Sequence, residues 1–192
     1  MIDKFIILNS TAVPLNIENI DTDQIIPARF LKATTREGFG ANLFHDWRYD
    51  AQNTPKADFV MNTGKYSGKI LVAGKNFGCG SSREHAAWAI YGAGFKAVIS
   101  SYFADIFRNN ALNNGLLPVQ VSEKFLKQVF DTIGQNPDSR LTIDLESQTV
   151  KLNESTEHFD INPYKKECLL KGFDDIDYLI SIREQIEAFE NK

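Results

Sequence analysis

The sequence predicts an α/β fold with at least some parallel strand pairing, and three observations carry that prediction. From Lys69 to Gly134 short apolar runs of strand type alternate with helical patterns. Leu141 to Leu145 and Thr149 to Leu152 flank a tight turn and read as a hairpin. From Asp174 to Glu190 the residues Ile176, Leu179, Ile180, Arg183, Ile186 and Phe189 fall on adjoining helical turns.

In chain order, Phe5-Ile6-Ile7-Leu8 and Thr11-Ala12-Val13-Pro14-Leu15 are predicted strands, and Pro14 puts the second at an edge or a strand end. Residues 19–27 form a polar turn leading into the pair Ile25-Ile26, which Pro27 stops. From Ala28 to about Asp58 the periodicity is poor, which predicts short helical turns and long loops. Lys69 to Ala73 is a strand and Gly74 to Gly80 a glycine-rich loop. Ser81 or Ser82 opens a helix through Tyr91. Ala97 to Ser100 is the next strand. Tyr102 to about Asn113 is a helix with Phe103, Ile106, Phe107 and Ala111 on one face. Leu116 to Val121 is a third strand, and Ser122 caps a helix carrying Phe125, Leu126, Val129, Phe130 and Ile133. A short strand near Phe159 extends the hairpin. One domain over residues 1–192, with residues 170–192 as a C-terminal helical extension, is the simplest organisation.

A chain of 192 residues can bury a core without disulfides or structural metal. Apolar residues at 43% against 24% charged argue against long disorder. A net charge of -4 gives no electrostatic reason to expect nucleic acid or an anionic membrane, although a local basic site for a small anion stays open. Two distant cysteines, Cys79 and Cys168, make no disulfide framework and suggest a reducing compartment. No secretory signal is evident at Met1 to Lys4, and no run approaches the ~20 apolar residues of a membrane span. A cytoplasmic protein is expected.

The segment from Gly74 to His85 concentrates chemistry. Its glycines let the backbone turn tightly and bring N–H groups close to a ligand. A helix start adds partial positive charge, and Arg83 offers a planar fork for a carboxylate. Ser81-x-x-Glu84 is equally a capping-box pattern, which needs no catalysis. No Walker loop is present, and Gly78-x-Gly80-x-x-Arg83 lacks the third glycine of a dinucleotide fingerprint. Locally, capping and anion binding both stand.

Longer strings separate them. Gly78-Cys79-Gly80-Ser81-Ser82-Arg83-Glu84-His85-Ala86-Ala87 closely resembles the signature of the swivel domain of the aconitase superfamily. Residues 97–103 and 113–118 resemble the segments that follow it there. Upstream, residues 19–27 and Phe30-Leu31-Lys32 match the other signature of that superfamily, in the same order. Gly38-Phe39-Gly40 and Leu43 to Arg48 resemble bacterial small subunits of the 3-isopropylmalate dehydratase family.

The resemblance implies an α/β swivel-like domain with a barrel-like mixed β core surrounded by helices. It also implies a hydro-lyase that removes water from 2-isopropylmalate, a hydroxy-dicarboxylate, and returns it to the neighbouring carbon in leucine biosynthesis. In related enzymes a [4Fe–4S] cluster with one open iron binds the substrate hydroxyl. By resemblance Ser81 is the alkoxide base, Ser82 its neighbour in the oxyanion and substrate site, and Arg83 a carboxylate ligand. Asp23 matches an aspartate that orders the site. Arg36 matches a second substrate arginine, with Arg29 as the competing assignment; either arginine could equally be a solvated surface charge, and Asp23 a turn cap.

Two distant cysteines cannot supply the three ligands such a cluster needs. His45, His85 and His158 show no metal-ligand spacing, so no cofactor or metal is expected on this chain. His85 is expected to hydrogen-bond locally, and Cys79 to be a small buried thiol. The expected partner is a large cluster-bearing subunit, met by the face around Ser81. Phe39, Phe44, Trp47 and Tyr49 are interface candidates, with core packing equally open. A small subunit of homoaconitase or methylmalate type, and a non-catalytic module binding an anion or partner, are the competing functions.

Overall fold

The computed structural model describes residues 3–191. One nearly continuous stretch of chain serves two sheets. β1 (Ile7–Ser10) and β2 (Ala12–Leu15) are separated by Thr11 alone, yet they pair in opposite senses with different partners. β2 edges a parallel sheet in the order β2-β3-β4-β5, with β3 (Ile70–Ala73), β4 (Ala97–Ser100) and β5 (Leu117–Gln120). β1 edges an antiparallel sheet in the order β1-β6-β7-β8, with β6 (Leu141–Asp144), β7 (Thr149–Leu152) and β8 (Ser155–His158). The predicted mixed β core takes this form. Pro14 occupies the edge strand its missing N–H demands.

The residues of β3 and β4 are all fully buried, which is why those strands read as unbroken apolar runs. One face of the parallel sheet, with Ile70, Val72, Ile99 and Val119, packs with Leu141, Ile143, Val150 and Leu152 of the antiparallel sheet. Phe125, Leu126, Val129 and Ile133 join this cluster from a helix, Glu123–Gln135, whose first turn is capped by Ser122, as predicted. The Ser122 hydroxyl accepts from the Phe125 amide at 3.1 Å. The opposite face, with Leu71, Ala73 and Val98, packs with Ile20, Ile25, Ala86, Ala89, Ile90, Phe107 and Ala111.

Four predicted boundaries are corrected. The first strand starts at Ile7, not Phe5, because the Phe5 amide is taken by the Leu169 carbonyl at 2.9 Å while Ile6 and Ile7 face solvent. The helix predicted from Ser81 or Ser82 starts at Glu84 and runs Glu84–Gly92. The helix predicted from Tyr102 runs Asp105–Asn113. Phe103 precedes it in a bridge to Phe77, and Ile106 is exposed while Phe107 is buried. In both cases tertiary bonds hold the residues ahead of the helix outside it, from Thr22 to the Ser81 carbonyl and between Phe77 and the segment Tyr102 to Ala104.

The fourth correction is in the tail. After a helix at Pro163–Lys171, capped by Asn162 and ended by Gly172 at φ 73°, the tail forms two helices, Asp175–Ser181 and Arg183–Glu190. The Ser181 hydroxyl donates to the Tyr178 carbonyl at 2.7 Å, competing with the ladder where the helix breaks. Ile176, Leu179, Ile180 and Phe189 are exposed, so the apolar stripe read from sequence is not a core face of this chain.

Candidate active site

Parallel pairing puts the carboxyl ends of β2 and β3 on one edge of the sheet, where ligand sites of open α/β sheets gather. Two loops leave that edge side by side, residues 16–21 and 74–83. They are stitched by backbone bonds from Asn19 N to Lys75 O, Gly78 N to Ile20 O and Thr22 N to Cys79 O, at 2.8, 2.8 and 2.9 Å. A third strand end joins them, since Phe77 N donates to Tyr102 O and Ala104 N to Phe77 O, both at 3.1 Å. The stitching is what keeps Tyr102 to Ala104 out of helix.

Gly78 and Gly80 are required by this path. Gly78 has φ 76°, and a Cβ there would lie 2.2 Å from the Phe107 ring. Gly80 has φ 88°, a left-handed value that few other residues adopt. Beyond Gly80 the chain bends at Ser81 and is extended at Arg83, with φ -136° and ψ 105°, and the helix then begins with no side-chain cap. The capping box Ser81-x-x-Glu84 is therefore not made. Both Ser81 and Ser82 are exposed, ahead of the helix rather than on it.

The first helix after β2, Thr22–Ile25, is capped by Asp21, whose carboxylate accepts from Gln24 N at 2.7 Å while the Gln24 side chain accepts from Asp21 N at 2.9 Å. Capping is thus the work of Asp21, which leaves Asp23 free to pair with Arg83. The Arg83 side chain is 14% exposed and Asp23 56%, so the guanidinium is pinned between a carboxylate at the rim and the Ile26 carbonyl 3.5 Å away.

Arg36 comes to the same helix start from a different segment. Its guanidinium lies 3.5 Å from the Glu84 carboxylate and 5.0 Å above the Trp88 ring. Glu84 is held in turn by Asn114, a 4% exposed side chain that donates to it at 3.1 Å and accepts from Trp88 Nε1 at 2.9 Å. Arg29 is elsewhere. It forms a two-pronged ion pair with Asp46, donates to His45 Nδ1 at 3.1 Å and sits over the Phe30 ring. That pairing holds the Asp46 carboxyl below its ordinary value. Ser81, Ser82, Arg83, Asp23 and Arg36 are thus gathered around one helix start, and Arg29 is not among them.

Sequence reasoning gave no role to two residues here, Thr22 and Asn114, and the wrong partner to a third, His85. Thr22, 2% exposed, donates its hydroxyl to the Ser81 carbonyl at 2.9 Å. Asn114 lies in the 113–118 string, which carried a resemblance but no role. His85, expected to bond locally, instead meets the Ala33 carbonyl at 3.2 Å, which places the proton on Nε2. Cys79 is half-buried, with its thiol 3.4 Å from the Asn19 carbonyl; burial, aided by the Asp21 carboxylate, pushes that thiol up. Phe39 and Phe44, proposed for an interface, are buried core; Trp47 stacks on Phe44, and Tyr49 lies against His45. Gly40 lies so close to Gly92 that a Cβ would come within 2.1 Å of its backbone, and Gly38 has a left-handed φ of 68°. Among the described residues no group of three or more His, Cys, Asp or Glu side chains is placed to hold a metal.

The Aconitase C-terminal domain model matches residues 2–124, and a second model, LeuD_N, matches residues 127–163. A 3-isopropylmalate dehydratase small subunit from Cytophaga hutchinsonii is 65% identical over 98% of this chain and 94% of its own length. One from Christiangramia forsetii is 62% identical over 99% and 94%. The chain belongs to the 3-isopropylmalate dehydratase small-subunit family. A crystal structure titled 3-isopropylmalate dehydratase (leuD), from Methanocaldococcus jannaschii, is similar at TM-score 0.67 and 29% identity, covering 96% of this chain and 99% of that one. The family accounts for the swivel-type arrangement of the two sheets and makes the chain a component of a hydro-lyase of leucine biosynthesis. It also implies a large-subunit partner, since the relatives are named as small subunits. No helix among the described residues is long and apolar enough to cross a membrane.

Proposed function

We propose that this chain supplies the base and the carboxylate grip for the interconversion of 2- and 3-isopropylmalate, in a cytoplasmic complex with a large subunit that carries a [4Fe–4S] cluster. The whole chain acts as one swivel-like unit, with residues 170–192 as its helical extension. Ser81 removes the proton from the carbon next to the hydroxyl-bearing carbon, and the hydroxyl takes a proton from the partner's side of the site and leaves as water. On return water gives that proton back, its hydroxyl adds to the neighbouring carbon, and Ser81 returns its proton to the carbon that lost the hydroxyl. Arg83 binds a substrate carboxylate, Ser82 lines the oxyanion and substrate site, Arg36 grips the second carboxylate, and Asp23 fixes the Arg83 fork.

The observation that carries this reading is the unmade cap. A serine that only stabilised a helix would turn its hydroxyl onto the third amide of that helix. Ser81 instead sits exposed in a bend ahead of the helix, two residues before an arginine whose head is pinned. A serine hydroxyl is too weak an acid to ionise near neutral pH unasked. The Ala86 amide bonds back to the Arg83 carbonyl at 3.1 Å, so the amides of Glu84 and His85, with the Arg83 side chain, supply the fixed positive potential, which strengthens once a partner closes the site to water. Pairing with Asp23 directs the Arg83 head while reducing its net field, so a substrate carboxylate must compete for the fork.

Cys79 and Cys168 do not fit a resident cluster. One lies in the loop with its thiol raised, the other is buried in the helix Pro163–Lys171, and a cluster with one open iron needs three ligands. The Lewis-acid chemistry that a cluster provides is therefore assigned to the partner.

Replacing Ser81 with alanine tests the reading. A general base contributes about 10²- to 10⁴-fold, so turnover of the reconstituted enzyme should fall by that order while assembly with the large subunit is unchanged. Full turnover by Ser81→Ala would remove Ser81 from the role.

A further inference from the structure

We propose that Thr22 is the positioning residue of the Ser81 base, holding the turn that presents the serine through its buried hydroxyl. The inference rests on Ser81 being the base, and goes beyond it by assigning what fixes that hydroxyl in space.

Ser81 is exposed, and its position is set by its backbone. Three residues of that backbone, Cys79 to Ser81, are gripped by one residue. Thr22 donates its amide to the Cys79 carbonyl and its hydroxyl to the Ser81 carbonyl, both at 2.9 Å. The two bonds bracket Gly80, whose φ of 88° gives the turn its direction and whose side-chain position faces Asp21 Cβ and Thr22 Oγ1 at 3.4 and 3.7 Å. A glycine held in that conformation without a second anchor has many alternatives.

Thr22 suits the task for three reasons. It is the first residue of Thr22–Ile25, so its amide is not needed inside the helix and can donate outward. Its β-branched side chain is stiff about χ1, so the hydroxyl direction is set by the helix. That helix is fixed at its start by the reciprocal Asp21–Gln24 bonds. With 2% exposure, the hydroxyl has no water to substitute for the bond it makes.

The test uses the enzyme reconstituted with its large subunit and compares Thr22→Val, which keeps the shape but removes the donor, with Thr22→Ser, which keeps the donor. A misplacement of about 1 Å can cost on the order of 10²-fold, so Thr22→Val should lower kcat about ten- to a hundredfold with KM unchanged. Thr22→Ser should restore most of it. In the isolated small chain, amide exchange over residues 79–83 should speed up in Thr22→Val and not in Thr22→Ser. In a Ser81→Ala background Thr22→Val should cost nothing further, since the residue acts through Ser81.

Wild-type kcat and exchange in Thr22→Val, with Ser81→Ala inactive, would overturn the positioning role and leave the base in place. Full activity in Ser81→Ala would overturn both. Should Thr22→Val not fold, Thr22→Ala removes the donor with less bulk and carries the same comparison. Equal losses in Thr22→Val and Thr22→Ser would also contradict the proposal, because they would assign the effect to packing.

Discussion

Two segments converge on the start of the helix Glu84–Gly92, and they are built in opposite ways. The turn Gly78 to Arg83 is held by backbone bonds to Ile20 and Thr22 and by a buried threonine hydroxyl. The segment from Ala28 to Gly38 begins as one 3-10 turn, and its residues from Thr34 to Gly38 are all exposed. It reaches the helix through the His85–Ala33 bond and through Arg36, which is 57% exposed beside a 48% exposed Glu84. An exposed ion pair of this kind contributes about 0–1 kcal/mol. The difference separates a preorganised chemical group from a grip that can open and close. In the proposed mechanism Ser81 and Arg83 are the fixed parts of the site, and Arg36 is the part released and re-engaged as substrate enters.

Predictions that break or sharpen this contrast fall in order of size. Arg83→Lys keeps the charge and loses the fork, so kcat/KM should drop roughly 10²- to 10³-fold in steady-state assays, as expected for a desolvated carboxylate contact. A loss under fivefold would make Arg83 a general cation rather than a clamp. Asp23→Asn leaves the fork unanchored but its charge less countered. About a tenfold loss is expected, seen mainly in kcat, because binding gains charge while orientation suffers.

On the looser side, Glu84→Gln weakens the anchor of Arg36. KM should rise about two- to fivefold with kcat little changed, consistent with a surface pair. Asn114→Ala should act more on stability than on turnover. It leaves the half-buried Trp88 N–H with only the Glu84 oxygen at 3.3 Å, and about 1 kcal/mol should be lost in denaturant unfolding. Cys79 gives the smallest effect. Its raised thiol is more fully protonated near pH 8 than an ordinary cysteine, so alkylation should be slower than for a free thiol and should speed up as pH rises.

What the sequence disclosed about the fold followed from short-range physics, whereas the site residues were named by resemblance. Buried runs such as Ile70 to Ala73, the Ser122 cap and the edge placement of Pro14 depend on residues a few positions apart, and all three are present. The starts of two helices were not legible, because Ser81 is bonded to Thr22 and Tyr102 to Phe77, partners 59 and 25 positions away. A capping pattern is only an option for the backbone, and here a tertiary bond took precedence. The resemblance favours Arg36 and leaves Arg29 as the competing assignment. The structure separates them by their partners, Asp46 for one and Glu84 for the other. Asn114 and Thr22 lie in strings that carry the resemblance, but nothing local gives either a role in the site.

The most direct measurement is a titration of the purified chain with its cluster-bearing large subunit, following isopropylmalate turnover for wild type and Ser81→Ala. The shared-site account predicts no activity from this chain alone. It predicts saturable activation of the wild type on mixing, and the same binding curve with turnover lowered about 10²- to 10⁴-fold for Ser81→Ala. Turnover by the chain alone, or equal turnover of the two chains after mixing, would contradict it.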